Sequence, residues 1–257
     1  MFKRAAVLVV VGCGALLSGC DSEPRDEHEE IISNLLEAGF PADDILVADG
    51  AVYVGRDAHV SLEASREMLQ PGEGSQEQYR TTNLVNTSTV KKICINPTSA
   101  FNSYSKLSQG LDLAIANYNA VGLCFTMARG PATGCNANIT ARPMAGNGGS
   151  AGFPSGGRPY GTINIGTGLQ NSTLDLAEHV ITHELGHTIG FRHSDFYNHA
   201  TCGGNEGSAG VGAILIPGTP ATSTVGGSLM NSCIRSTESG EFTSTDITAL
   251  RVLYGGC

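Results

Sequence analysis

Apolar positions along this chain change their period several times, and each change marks an element. From Glu27 to Ala38, Ile31, Ile32, Leu35 and Leu36 recur at helical spacing and the pattern stops at Gly39. Ile45–Ala48 and Val52–Val54 are short apolar runs joined through Asp49-Gly50, the signature of a hairpin. Ser61–Leu69 reads as a short helix, and the Gly/Ser/Gln-rich stretch Pro71–Gln78 as a linker. Lys91–Ile95 is β-rich. Ser103–Asn119 is an amphipathic helix, with Leu107, Leu111, Ala114, Ile115 and Tyr118 on one face and Gly122 closing it. Leu123–Ala128, Ala137–Arg142 and Gly161–Ile165 are strand candidates, and Ala145–Gly157 is expected to be a long loop. A second long helix starts at Ser172 or Thr173 as cap, with acidic residues in its first turn and Leu176 and Val180 facing the core. After residue 193 little regular structure is expected until Thr243–Tyr254, where Ser244-Thr245-Asp246 can cap a final helix. This order predicts an α+β fold: a mixed sheet with the long helix, then an irregular C-terminal subdomain.

Charge divides the 257 residues. Residues 21–78 carry 15 Asp/Glu against 3 Arg, whereas residues 79–257 carry 9 Asp/Glu against 10 Lys/Arg and hold 26 of the 34 glycines. The net charge of −9 therefore belongs to the front of the chain, and no basic patch points to nucleic acid. Met1-Phe2-Lys3-Arg4 followed by the apolar run Ala5–Leu16 is a signal sequence, too short to span a bilayer. It ends in Leu17-Ser18-Gly19-Cys20, which resembles the bacterial lipoprotein box, with Cys20 as the lipidated residue and a lipid anchor as the consequence. An ordinary secretory signal with an incidental cysteine is the other reading. Six further cysteines in an exported chain argue for three disulfides, and proximity suggests Cys124–Cys135, Cys202–Cys233 and Cys94–Cys257. A cysteine-bound zinc has no C-x-x-C pair to support it.

The chemistry is concentrated in His183-Glu184-Leu185-Gly186-His187-Thr188-Ile189-Gly190-Phe191-Arg192-His193. On a helix, His183 and His187 lie on one face with Cβ atoms roughly 5–6 Å apart, so both can bind one ion. Glu184 stands beside them, where its carboxylate can hold water and act as the catalytic base. A third ligand one turn further along the axis would be out of reach. Gly190 ends the helix and bends the chain, so that His193 returns to the ion and a fourth position stays open to water. One catalytic Zn2+ is the expected cofactor. His179, about 12 Å from His187 along the axis, is read as packing or hydrogen-bonded rather than ligating.

His183 to His193, with Ser228-Leu229-Met230-Asn231 downstream, resembles a metzincin zinc metalloprotease, in which the methionine of the Met-turn lies beneath the zinc. The chain is most similar to the bacterial dual-action HEIGH metallopeptidases, with Leu185 where that name has isoleucine. The likeness extends over about residues 80–257 and takes in Cys202-Gly203, Ile216-Pro217-Gly218-Thr219-Pro220 and Gly240-Glu241-Phe242-Thr243. It implies two subdomains flanking a cleft, zinc dependence, hydrolysis of peptide bonds in protein or peptide substrates, and Met230 as structural support together with Gly190. Astacins and serralysins carry a tyrosine two residues after the Met-turn methionine; here that position is Ser232, so no tyrosine is assigned to the oxyanion. Asp195, just after the third histidine, is expected to orient a neighbour.

These readings divide the chain into a lipoprotein-type signal (1–19), an acidic prosegment and linker (20–80) and a zinc metalloprotease domain (81–257). The prosegment reads as an inhibitor, and a stalk is the competing role. Val54-Gly55-Arg56-Asp57 loosely resembles the F-x-G-D motif of astacin prosegments, which makes Asp57 the candidate latency ligand until cleavage near Tyr79–Thr82. The expected protein is a monomeric, exported zinc endopeptidase of the bacterial cell envelope, membrane-attached through Cys20, with its catalytic domain released outside after cleavage. The alternative is an inactive lipid-anchored peptide-binding protein on the same fold.

Overall fold

The computed structural model describes residues 27–38, 40–69, 78–195, 214–220 and 224–257. The signal, Cys20, Cys202 and nearly all of the expected linker lie outside these residues. No helix among the described residues is long and apolar enough to cross a membrane.

The acidic segment folds as α1 (Glu27–Glu37), β1 (Leu46–Ala48), β2 (Ala51–Val54), β3 (Ala58–Val60) and α2 (Leu62–Met68). Asp49 and Gly50, at φ 50° and 73°, make the left-handed two-residue turn that suits a tight hairpin. Ile31 and Leu35 of α1, Val52 and Val54 of β2, Val60 of β3 and Met68 of α2 close over a small core. Among the described residues, only Phe153 joins that core from beyond residue 78. The segment thus has its own apolar centre.

The rest of the chain runs β4 (Tyr79–Arg80), β5 (Lys92–Pro97), α3 (Ser99–Asn102), α4 (Ser105–Ala120), β6 (Thr126–Arg129), β7 (Ala137–Met144), β8 (Gly149–Gly152), β9 (Thr162–Gly166), α5 (Leu174–Thr188), β10 (Ile214–Leu215) and α6 (Ser244–Tyr254). Eight strands form one mixed sheet in the order β1-β2-β3-β8-β9-β7-β5-β6. β6, β5, β7 and β9 run parallel, β8 is antiparallel to β9, and β3 joins β8 in parallel. The expected α+β architecture is present, with α4 and α5 packed together. Leu107, Leu111, Ala114, Ile115 and Tyr118 of α4 are buried, as their spacing predicts.

Several expectations need correction. The Ala145–Gly157 segment is not simply a loop, because Gly149–Gly152 pairs on both sides as β8. Glycines carry no hydrophobic alternation, so the strand left no period to read. β3 was not anticipated either, and through it the acidic segment and the catalytic region share one sheet. At the expected boundary, β4 pairs with β10, Thr81 N donates to Gly190 O, and Arg192 N donates to Tyr79 O. Tyr79 and Thr81 are buried. The disulfides are Cys94–Cys135 and Cys124–Cys257, not the suggested Cys124–Cys135 and Cys94–Cys257. β5 runs beside β7, which brings Cys94 next to the residue entering β7, while α6 returns the C-terminus to the end of α4. Cys233 is also disulfide-bonded; the suggested Cys202–Cys233 pair involves Cys202, which lies outside the described residues.

The α4–α5 contact depends on Gly110, where a Cβ would meet Glu178 N at 3.1 Å and Ala177 C at 3.2 Å. Gly110→Val is expected to destabilise the protein by about 1–3 kcal/mol. A thermal melt of the purified chain checks it, and an unchanged Tm would mean the two helices are not this close.

Candidate metal centre

α5 is buried on all sides from Ala177 to Thr188, although seven of those twelve residues are polar. Thr173 caps it, its side chain accepting from Leu176 N. Its end is a left-handed turn: Gly190 has φ 108°, Gly190 N donates to His187 O and Phe191 N donates to Gly186 O. A Cβ at Gly190 would also come within 2.9 Å of Leu84 and 3.0 Å of Asn83 O. Glycine is required there twice over, and the bend it permits carries His193 back to the helix.

His183, His187 and His193 converge as the spacing predicts. His183 Nε2 lies 3.1 Å from His193 Nε2 and 3.1 Å from His187 Nε2. The opposite ring nitrogens determine the tautomers. His183 Nδ1 faces Leu229 O at 2.9 Å and His187 Nδ1 faces Phe191 O at 2.8 Å. A carbonyl oxygen can only accept, so each Nδ1 carries the proton and each neutral Nε2 presents a lone pair. Lone pairs that converge in a buried site repel one another unless a cation lies between them. Burial and the neighbouring His183 hold the His187 ring well below its usual range, at about 3, so a proton does not fill that role near neutrality.

Asp57 completes the cluster. Its Oδ2 is 3.3 Å from His193 Nε2 and 3.7 Å from His183 Nε2, and its Oδ1 is 3.6 Å from His187 Nε2. These distances exceed a charge-assisted hydrogen bond, about 2.7–2.9 Å. They lie at or a few tenths of an ångström beyond the roughly 3.3–3.4 Å between ligand atoms placed tetrahedrally around Zn2+ at about 2.0–2.1 Å. Asp57 Oδ1 is buried without a hydrogen-bond partner. Three imidazoles and a carboxylate, with ligand atoms all within 4.8 Å of one another, fit one divalent ion of zinc type. Burial alone would raise the Asp57 pKa, but His193, His183 and His187 outweigh it and hold the carboxyl far below its usual range. Arg56, which breaks the motif match, occupies a left-handed turn position at φ 78° and points to solvent. The extra residue is absorbed in the turn.

Glu184 lies beside the triad, its Oε2 buried without a hydrogen-bond partner. A Cβ on Gly149 would stand 2.4 Å from Glu184 Oε1, so this β8 glycine makes room for the acid. Burial, and then the Asp57 charge, push the Glu184 pKa well up. His179 stays outside the cluster: its Nδ1 meets Ser239 O at 3.0 Å, and burial followed by the His183 charge lowers its pKa to about 4. Met230 is buried below α5, and a Cβ on Gly186 would be 2.6 Å from its sulfur. Asp195 accepts from Ser232 N at 2.8 Å and from Ser232 Oγ at 2.9 Å, which pins the Met230 turn to the segment carrying His193. Sequence reasoning missed Gly149 and the buried Ser228–Asp246 pair. For Asp246, the Thr243-x-x-Asp246 capping pattern was the readable trace.

Among curated proteins, none matches the chain. The family model described as dual-action HEIGH metallo-peptidase matches residues 52–254. That span begins in β2, earlier than the likeness read from the sequence, and takes in Asp57 as well as the three histidines. With a match over most of its length and a site that fits one metal ion, the chain belongs to the dual-action HEIGH metallo-peptidase family.

Proposed function

We propose that this metallopeptidase is a zinc endopeptidase, exported and lipid-anchored through Cys20, and held latent by its own acidic segment. The observation that carries the reading is the convergence of three histidine Nε2 atoms beside Glu184, whose buried Oε2 has no hydrogen-bond partner. His183, His187 and His193 would hold the ion. A bound Zn2+ supplies water of lowered pKa, about 7, and polarises the scissile carbonyl. Glu184 is the general base: its Oε2 takes the proton of the attacking water and returns it to the leaving amine nitrogen. Its buried position raises its proton affinity toward the range such a shuttle needs. A protein that only bound peptides would have no use for this acid next to the triad.

Latency follows from the place of Asp57. A fourth protein ligand closes the position that catalysis requires open. β3 adds a second block, because it occupies the backbone edge of β8 beside Glu184, where an extended peptide would otherwise pair. Removing the segment by proteolysis ahead of Gln78 would free both.

Glu184→Gln is expected to bind one zinc per chain yet hydrolyse a fluorogenic peptide pool roughly 100–10,000-fold more slowly. Metal analysis and initial rates check this, and a wild-type rate would remove Glu184 from the role. Asp57→Ala should raise the activity of the uncleaved chain above that of the uncleaved wild type. If both are equally active, Asp57 is no inhibitor. Cys20→Ala should move the protein from the membrane fraction to the soluble one, and continued membrane partitioning would refute the anchor.

A further inference from the structure

Behind His183, on the side away from its ion-facing Nε2, a chain of hydrogen bonds runs inward. His183 Nδ1–H donates to Leu229 O at 2.9 Å. The same peptide unit carries Met230 N–H, which donates to Ser228 Oγ at 2.9 Å. Ser228 Oγ–H donates in turn to Asp246 Oδ1 at 2.6 Å. The dipoles of these groups point the same way, so each bond polarises the next, from a carboxylate at one end to a ligand imidazole at the other.

Asp246 is 2% exposed and accepts from five donors. Ser228 Oγ and Gln78 Nε2 reach its Oδ1, while Leu229 N, Thr243 N and Thr243 Oγ1 reach its Oδ2. As a helix cap for α6 it needs only the Thr243 contacts. The three other donors come from the Met230 turn and from Gln78, the residue before β4. No Lys, Arg or His is bonded to it among the described residues. A buried carboxylate with no cation of its own therefore directs its charge, through Ser228 and one peptide, at His183.

We propose that Asp246, acting through Ser228 and the Leu229–Met230 peptide, is a positioning residue for His183. It holds the Nδ1–H tautomer and the ring plane, and it strengthens Nε2 as an electron-pair donor to the ion. The inference rests on reading the cluster as a zinc site, and it assigns the C-terminal helix a part in metal affinity as well as in the fold.

Ser228 is the link that can be removed without altering the Thr243 cap. In the full-length chain, Ser228→Ala is expected to weaken zinc binding roughly 10–100-fold in competition with a chromophoric chelator. It should also shift the visible spectrum of the Co2+-substituted protein, while the metal-free Tm changes little. Ser228→Thr, which keeps the hydroxyl, should restore both readouts. Equal zinc affinity and coincident cobalt spectra for wild type, S228A and S228T would overturn the relay. If S228A does not fold, Ser228→Cys replaces it, since the thiol fills the site but is a weak hydrogen-bonding partner. S228C should then lose affinity relative to S228T, and equality of the two would overturn the proposal. Wild-type protein that takes up no zinc would overturn the reading of the site, and the relay with it.

Discussion

The structure depends on one electrostatic conflict. Three imidazoles turn their Nε2 atoms toward one another in a buried site, with His183 Nε2 3.1 Å from each of the other two and carbonyls at Nδ1 leaving the Nε2 lone pairs of His183 and His187 facing inward. A cation between them relieves that repulsion, and burial holds the His187 ring well below its usual range, so that ring does not take up the proton near neutral pH. Everything around the centre acts to hold these rings where separately they would not stay. α5 is enclosed by the sheet and α4, Gly190 bends the chain behind it, and the Met230 turn supports it from below.

The C-terminal region achieves this with little regular structure. Its order comes from short polar side chains bonding main-chain groups that no helix or strand satisfies. Gly226 N donates to Asn231 Oδ1, Met230 N to Ser228 Oγ, Ser232 N to Asp195, and Leu229 N to Asp246. A buried backbone must find partners somewhere, and here it finds them in side chains. The region is therefore organised around the ligands rather than around an apolar core of its own.

The acidic segment is a different kind of unit. It has a small apolar core, yet it adds three strands to the catalytic sheet and sends Asp57 into the ligand cluster from the turn before β3. Phe153 ties the two units together, contributing to the segment's core while its ring lies edge-on to His187. Arg192 adds a second tie, 4.5 Å above the Phe40 ring. Both contacts join the acidic segment to the residues that surround the ligand cluster.

The local sequence settled much of this. The period of α4, the cap and ligand spacing of α5, the Asp49-Gly50 hairpin and the glycine after the zinc helix are decided within a few residues, because they follow from backbone geometry and side-chain size. The triad and Glu184 were legible for the same reason, since a helix places i and i+4 on one face whatever surrounds it. Asp57 was half legible: its motif was broken by Arg56, and only the folded turn shows that the extra residue points away. β8, the disulfide pairing and the Ser228–Asp246 chain were not legible at all. They join residues separated by 18 to 133 positions, or rest on glycines without a pattern. Sequence determines what each short segment prefers; partners that are distant along the chain are chosen only when the sheet order and the packing of α5 bring them into contact.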